Sequence, residues 1–357
     1  MLIAGGGTGG HLYPGVAVAR ELLARVADGH VVFVGTAAGI EARVIPREGF
    51  PLDVIRSAGL KGKSLASLLR GLALLPLSAL DAWRVISRHR PAVVVGVGGY
   101  SSGPVVGLAA LRGVPTMLME QNATPGITNR LLARVVRAAA VTYEESLPVF
   151  GGKAFVAGNP VRRAFFEPLP APAAGGPVRV LVFGGSQGAH AINVAMAEAA
   201  PRLAAGARVD LTHQTGERDV EVVREAYRAA GLAARVEPFL YEMDREMRMA
   251  DVVVCRSGAT TLAELMAAGK PSILVPLPTA TDDHQKKNAL ALVTRGAARM
   301  VEQRDLTGAR LAEEILALAG DAPARARIAA AAARMARPDA ARAIVDRILE
   351  LGGRRAG

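Results

Sequence analysis

At 357 residues the chain is longer than one hydrophobic core usually serves, which predicts two domains, and with 51% apolar residues each can bury a core of its own. A single cysteine, Cys255, excludes an internal disulfide framework and a cysteine-based metal cluster. The net charge of +11 points to anionic partners; with aromatics at only 4% and no nucleic-acid motif, phosphorylated ligands and anionic membrane surfaces rank ahead of nucleic acid.

The first thirty residues lack the basic start, apolar run and small-residue cleavage site of a signal peptide, which predicts a cytoplasmic chain. Leu2 to Ala4 reads as a strand, but a very short one for the middle of a sheet, so the natural start is expected a few residues upstream of Met1. Gly5, Gly7 and Gly10 follow and satisfy G-x-G-x-x-G, where glycines let backbone amides and a helix start approach phosphate. A dinucleotide site also wants an acid at the end of the second strand. The run His30 to Val34 leads into Gly35 and Thr36 instead, which counts against a dehydrogenase. Gly62-Lys63-Ser64 imitates the end of a P-loop, but Ser57 stands where the first glycine belongs, which excludes an ATPase.

From Leu65 to Ile86, the residues Leu65, Leu68, Leu69, Leu72, Trp83 and Ile86 fit one helical face, with Leu74, Leu75 and Leu77 partly off it. Lys61, Lys63, Arg70, Arg84 and Arg88 lie nearby, so the stretch reads either as a patch dipping into an anionic leaflet or as ordinary helix packing. Ala92 to Leu111 carries no charge over the length of a membrane span. Its middle, however, holds Gly96, Gly98, Gly99, Ser101, Ser102, Gly103 and Pro104, which predicts strand, loop and helix.

The proline-rich segment Phe166 to Pro177 reads as an interdomain linker. Beyond it, Val178 to Phe183, Asp251 to Cys255 and Ser272 to Val275 read as buried strands, and Gly184 to Gly188 repeats the first glycine loop ahead of another helix. The fold class is therefore α/β, a doubly wound parallel sheet occurring twice, with ligands expected at the carboxyl ends of the strands. Asp282-Asp283 has the wrong spacing for a metal-holding carboxylate pair, and the six histidines are scattered, so neither metal nor cofactor is expected. Gly5 to Gly10, Gly96 to Gly103 and Gly184 to Gly188 instead suggest backbone amides holding two diphosphates, one in each domain.

An ordered set of motifs then spans almost the whole chain. In the first half stand Gly5-Gly6-Gly7-Thr8-Gly9-Gly10-His11, Gly98-Gly99-Tyr100 with Ser102-Gly103-Pro104, and Glu120-Gln121-Asn122. In the second stand Gly158-Asn159-Pro160-Val161-Arg162, Gly184 to Ala189, Arg256-Ser257-Gly258-Ala259 with Glu264, and Asp283-His284-Gln285 with Asn288. This set resembles the MurG family of glycosyltransferases.

The resemblance implies the GT-B architecture, two Rossmann-like domains facing across a cleft. An acceptor domain would cover 1–162, completed by a C-terminal helix at about 339–357, and a UDP-GlcNAc-binding domain 163–338. It implies inverting transfer of GlcNAc from UDP-GlcNAc to the 4-hydroxyl of undecaprenyl-diphospho-MurNAc-pentapeptide (lipid I), giving lipid II. The enzyme would be peripheral on the cytoplasmic face of the plasma membrane, with a cell-wall synthesis complex as a further partner.

Carried onto matching positions, Ser186 would face the donor diphosphate, the Leu240 backbone the uracil, and Glu264 both ribose hydroxyls. Arg162 and Asn122 would approach the donor, as would Thr8, Gly9 and Gly10. Ala259, Thr260, Thr261, Leu262, Ala263 and Glu264 would form a helix start suited to the leaving phosphate. Gln285 would bond the sugar hydroxyls. Gly7, Gly98, Gly99, Tyr100 and Ser102, with Thr8 to Gly10, would cradle the acceptor diphosphate. His11 is the first choice of catalytic base and Glu120 the second. Met119 departs from the histidine of many relatives, and Leu240 matters only through its backbone. On their own, His11 reads equally as a helix-start hydrogen bonder, Glu264 as a favourable first-turn charge, Arg162 as a linker charge and Gln285 as a solvated helix start. The competing functions are a UDP-GlcNAc 2-epimerase and a noncatalytic nucleotide-sugar-binding protein.

Overall fold

The computed structural model describes residues 1–57, 65–167, 175–185, 188–206, 208–280 and 283–353, without the side chains of 65–73. Gly62 to Ser64, Lys61, Pro168 to Pro172, Ser186, Gln187 and Asp282 lie outside the described residues. The chain divides into two compact units, Met1–Val161 with Arg337–Gly357, and Arg162–Ala336.

In the first unit β1 (Leu2–Gly5), α1 (Gly9–Arg25), β2 (Val32–Gly35), α2 (Glu41–Arg47), β3 (Leu52–Val54), α3 (Leu65–His89), β4 (Val94–Gly98) and α4 (Ser102–Leu111) alternate. They are followed by β5 (Thr116–Glu120), α5 (Ile127–Leu132), β6 (Ala138–Val141), α6 (Leu147–Phe150) and β7 (Ala154–Val156). The strands form one parallel sheet in the order β3-β2-β1-β4-β5-β6-β7. Each strand of such a sheet is covered on both faces, which is why apolar runs build it. Successive residues of β1 show this: Leu2 and Ala4 pack toward Ala82, Ile86 and Val105, whereas Ile3 packs toward Leu12, Val16 and Ile344.

The second unit runs through β8 (Val178–Phe183), α7 (His190–Ala205), β9 (Val209–Gln214), α8 (Val220–Ala229), β10 (Ala234–Glu237), α9 (Met243–Met249) and β11 (Val252–Cys255). It continues with α10 (Ala259–Ala268), β12 (Ser272–Leu274), α11 (His284–Val293), β13 (Arg299–Met300), α12 (Gly308–Gly320) and α13 (Ala322–Met335). Its parallel sheet is ordered β10-β9-β8-β11-β12-β13, so the glycine-loop repeat reflects a repeated topology. The last helix, α14 (Ala340–Leu351), belongs to the first unit, where Ile344, Val345, Ile348 and Leu349 are buried beside α1 and Arg25 pairs with Asp346 at 2.7 Å. Each such burial contributes about 1.5–3 kcal/mol.

Two expectations change, and the reading of Ala92 to Leu111 as strand, loop and helix stands. The break between units falls between Val161 and Arg162, ahead of the proline-rich segment, because the turn Arg163–Phe166 already packs on α9 and α10 with Phe165 buried. In α3, Ile86 shares the buried stripe of Ser78, Ala82 and Val85, whereas Trp83 is exposed with Leu75, Leu77 and Leu80. Trp83 and Ile86 therefore lie on different faces, since the 3.6-residue period places 78, 82, 85 and 86 together. The uncharged stretch Ala92 to Leu111 contains β4 and α4, and among the described residues no helix is long and apolar enough to cross a membrane.

Strand order reverses between β1 and β4 in one sheet and between β8 and β11 in the other. A crevice opens at such a switch point beyond the carboxyl ends of the strands. The loops after these four strands carry the glycine motifs.

Candidate active site

In the first unit the loops after β1 and β4 lie against each other. Gly6 N–H donates to the Gly98 carbonyl at 3.2 Å, and a Cβ on Gly99 would come 2.3 Å from the Gly6 carbonyl oxygen, an approach only glycine permits. Beneath them Glu41, 1% exposed, accepts from Gly7 N–H, Thr36 N–H and Thr36 Oγ1, each at 2.9 Å. Burial alone would raise the Glu41 pKa, but these hydrogen bonds hold the carboxyl below its ordinary value. Gly7 N–H, expected to face the acceptor diphosphate, is thus already taken by a buried carboxylate. No periodicity or motif marks Glu41, because its partner lies 34 residues away.

His11 sits in the first turn of α1. Thr8 Oγ1 lies 3.2 Å from its Nδ1, and its ring rests against Gly98, where an added Cβ would meet Cδ2 and Nε2 at 3.0 and 3.1 Å. Thr8, Gly9 and Gly10 form the start of α1, whose dipole favours an anion. Tyr100 is 53% exposed and its carbonyl accepts from Ser57 Oγ at 2.9 Å. Ser102 differs from expectation: it is fully buried, and a Cβ on Gly96 would lie 2.5 Å from its Oγ, so it packs α4 against β4.

Glu120 is also corrected. It is buried at the end of β5, and its two oxygens accept from Asn122 N–H (3.0 Å), Asn122 Nδ2 (3.1 Å), Gly126 N–H (3.0 Å) and Asn129 Nδ2 (2.8 Å). A carboxylate holding four donors shapes the turn around Asn122 and is poorly placed to take a proton. Met119, one residue earlier, points into the apolar core, so at this position the chain has a packing residue.

In the second unit a pocket of about 550 Å³ opens at the β8/β11 switch point. Gly184, Gly185, Gly188, Ala189 and His190 line one side, and Arg256, Gly258, Thr261, Leu277, Gln285 and Gln303 the other. Gly188 has φ 74°, and a Cβ there would lie 1.8 Å from the Thr215 carbonyl oxygen. Gly258 caps α10 without a side-chain hydrogen bond, so the positive end of the helix meets the pocket. Ala259, Leu262 and Ala263 are buried in the core, leaving only their backbone for a ligand, with Thr260 and Thr261 beside them.

The pocket's polar side chains are firmly held. Arg256 donates to the carbonyls of Val275 (3.1 Å) and Pro276 (3.2 Å) and to Gln303 Oε1 (2.7 Å), and burial lowers its pKa. Gln285 is no solvated helix start: its Oε1 accepts from Leu277 N–H at 3.0 Å and its carbonyl from Ser257 Oγ at 2.8 Å. His190, the first residue of α7, has Nδ1 2.9 Å from Asp219 Oδ2, and Asn193 Nδ2 donates to the same oxygen at 2.8 Å. His190 stands two residues after Gly188, the last glycine of the second loop, a position that could have marked it in the sequence.

Glu264 on α10 has a carboxyl pKa lifted to about 7, chiefly by burial; the Arg162 charge opposes this and Asp244 adds to it. Arg162 Nη2 lies 3.6 Å from Asp244 Oδ1 and its guanidinium 5.1 Å from the Phe165 ring centre, so it is docked on the second unit. Leu240 is buried between Phe239 and Tyr241, whose rings meet edge to face at 5.0 Å. Among the described residues no group of three or more His, Cys, Asp or Glu could hold a metal ion.

Residues 1–141 match the glycosyltransferase family 28 N-terminal domain and 179–344 the family 28 C-terminal domain. The chain is 52% identical over 360 residues to a UDP-N-acetylglucosamine–N-acetylmuramyl-(pentapeptide) pyrophosphoryl-undecaprenol N-acetylglucosamine transferase of Anaeromyxobacter sp. (strain K), covering 100% of this chain and 94% of that one. Among solved structures it is similar to Acinetobacter baumannii MurG, with TM-score 0.83, 30% identity and 98% of each chain covered. It also shares its fold with the UDP-GlcNAc 2-epimerase of Neisseria meningitidis, at TM-score 0.67 and 13% identity over 98% of this chain and 99% of that one. The chain belongs to glycosyltransferase family 28 and, within it, to the MurG family of UDP-N-acetylglucosamine–N-acetylmuramyl-(pentapeptide) pyrophosphoryl-undecaprenol N-acetylglucosamine transferases.

Proposed function

We propose that this enzyme moves GlcNAc from UDP-GlcNAc to the muramyl 4-hydroxyl of lipid I, with inversion, and so makes lipid II. The observation that carries this reading is the 52% identity over the whole chain to a transferase of that name. The second unit takes the donor and the first the acceptor. Supporting the first assignment are the pocket's glycine loop, the uncapped start of α10, and Glu264 with Arg162 beside it. The Leu240 backbone meets the uracil and Glu264 the ribose hydroxyls, while Gln285, its carbonyl oxygen already engaged, offers its NH2 end to the sugar.

Displacement at the anomeric carbon needs a base for the acceptor hydroxyl and neutralisation of the departing diphosphate. His11 is the base. When its Nδ1 donates to Thr8 Oγ1, Nε2 carries the lone pair that accepts the proton. Glu120 acts through Asn122 as a positioning residue. Release of UDP from UDP-GlcNAc is expected only when a lipid I analogue is added, and to persist in EDTA because helix ends and backbone amides hold the phosphates. Loss of most activity in EDTA, restored by magnesium, contradicts that. Conversion of the donor without acceptor favours the 2-epimerase reading.

The peripheral location on the anionic cytoplasmic leaflet, beside other proteins of cell-wall synthesis, is supported by α3. Leu75, Leu77, Leu80 and Trp83 are exposed there, with the Arg112 guanidinium 4.2 Å over the Trp83 ring and Arg84 and Arg88 on the same helix. An exposed apolar strip among cations suits an anionic interface. Wild-type protein is expected to sediment with anionic liposomes, and the folded double variant Leu75→Glu/Leu77→Glu to lose most of that binding. Equal binding by both removes the assignment.

A further inference from the structure

We propose that His190, held by Asp219, is the side-chain cation that neutralises the diphosphate of the departing nucleotide. The inference rests on the reading of the second-unit pocket as the donor site. Among the described residues lining that pocket, His190 and Arg256 are the ones that can carry positive charge. Arg256 is turned to the carbonyls of Val275 and Pro276 and to Gln303, an arrangement that fixes the wall and directs its donors away from a ligand. His190 is placed differently. It stands two residues after Gly188 and opens α7, a helix of 16 residues, so it sits where the helix dipole already favours phosphate.

Asp219 supplies the orientation. Both its oxygens lie near His190 Nδ1, at 2.9 and 3.1 Å, and its own position is fixed by Asn193 Nδ2 at 2.8 Å, with Arg218 Nε at 3.9 Å. Nδ1–H therefore donates to the carboxylate, and Nε2, on the opposite side of the ring, is the atom a phosphate oxygen can meet. A ring between a carboxylate and a diphosphate can donate to each, from Nδ1 to Asp219 and from Nε2 to a phosphate oxygen. Arg218 and Arg256 are the opposing cations, the first directed at Asp219 and the second at carbonyls. The sugar–oxygen bond of the donor breaks heterolytically, and the charge gathered on the diphosphate is met at Nε2 by a charge-assisted hydrogen bond.

The test compares uridine with UDP, because uridine lacks the group His190 is assigned to hold. Calorimetric affinities of the full chain are measured across neutral pH for wild type, His190→Asn, His190→Arg and Asp219→Asn. His190→Asn is expected to weaken UDP about tenfold or more and to leave uridine within about twofold, which also reports an intact fold. His190→Arg regains most of the UDP affinity, since arginine keeps a cationic donor at that place. Asp219→Asn weakens UDP alone, by less. Unchanged UDP affinity in His190→Asn, or equal loss of uridine and UDP, overturns the proposal while wild type still turns over UDP-GlcNAc. A wild-type protein that binds neither ligand overturns the donor-site reading and this inference with it.

Discussion

Replacing His11 by alanine is expected to lower kcat by about a hundredfold or more while leaving the KM for UDP-GlcNAc within about twofold. A general base acts only while the acceptor hydroxyl loses its proton, so its removal costs transition-state stabilisation and not donor binding. The ring is placed for this by Thr8 Oγ1 at Nδ1 and by Gly98, whose missing side chain leaves space for the imidazole. The acidic limb of the kcat profile, where protonated imidazole is inactive, should vanish in His11→Ala. Thr8→Val, which keeps the ring but removes its orienting oxygen, should cost less, about tenfold, and keep the limb. Steady-state rates with each substrate varied in turn decide the matter. If His11→Ala keeps its kcat and its limb and weakens only acceptor use, His11 is a diphosphate or helix-start hydrogen bonder.

Glu264→Ala should raise the KM for UDP-GlcNAc by about a hundredfold with a small change in kcat, because two hydrogen bonds to a carboxylate are lost alike in ground and transition states. The same carboxyl carries a pH signature. Burial lifts its pKa to about 7, and ribose hydroxyls donating to it would favour the ionised form. Donor binding should therefore release protons near and below pH 7, about half a proton at the midpoint, and the donor KM should fall as pH rises through 7. The stability sign is opposite. A carboxyl whose folded pKa lies above its unfolded one contributes stability that is fully present below the unfolded value and is lost as pH rises through about 7. Glu264→Gln should abolish the proton release and flatten both dependences. Titration calorimetry in two buffers of different ionisation heat reads the proton directly, and unchanged release in Glu264→Gln would assign it to another group.

The strands most visible in the sequence are the central ones. β11 is a continuous apolar run and β8 one broken only by Arg179, because helices cover both their faces, and glycine-bearing loops follow them. β9 is harder to see: Val209–Gln214 includes His213 and Gln214, buried polar residues whose partners, Tyr227 and Asn193 for His213 and the Gly185 carbonyl for Gln214, are set only by the fold. Apolarity alone puts Trp83 on the face of Ile86 in α3, because it does not separate a core residue from an exposed one. At the candidate site, motif order points to Glu264, Arg162 and Gln285, yet their bonds cannot be foreseen from it. The engagement of Glu120 by Asn122, Gly126 and Asn129, and of Gly7 by Glu41, depends on turns and long-range approaches that no local pattern encodes. Ser102 likewise looked like a loop residue and is a core one, since α4 begins there.

Transfer of GlcNAc from UDP-GlcNAc to lipid I is read out by chromatography of lipid products. Purified protein is incubated with sugar-radiolabelled UDP-GlcNAc and a lipid I analogue in the presence of chelator. Label is expected in a single disaccharide lipid, in amount equal to the UDP released and joined through the muramyl 4-hydroxyl. Folded protein that yields no labelled lipid, or that leaves the label in a free epimerised sugar, contradicts it.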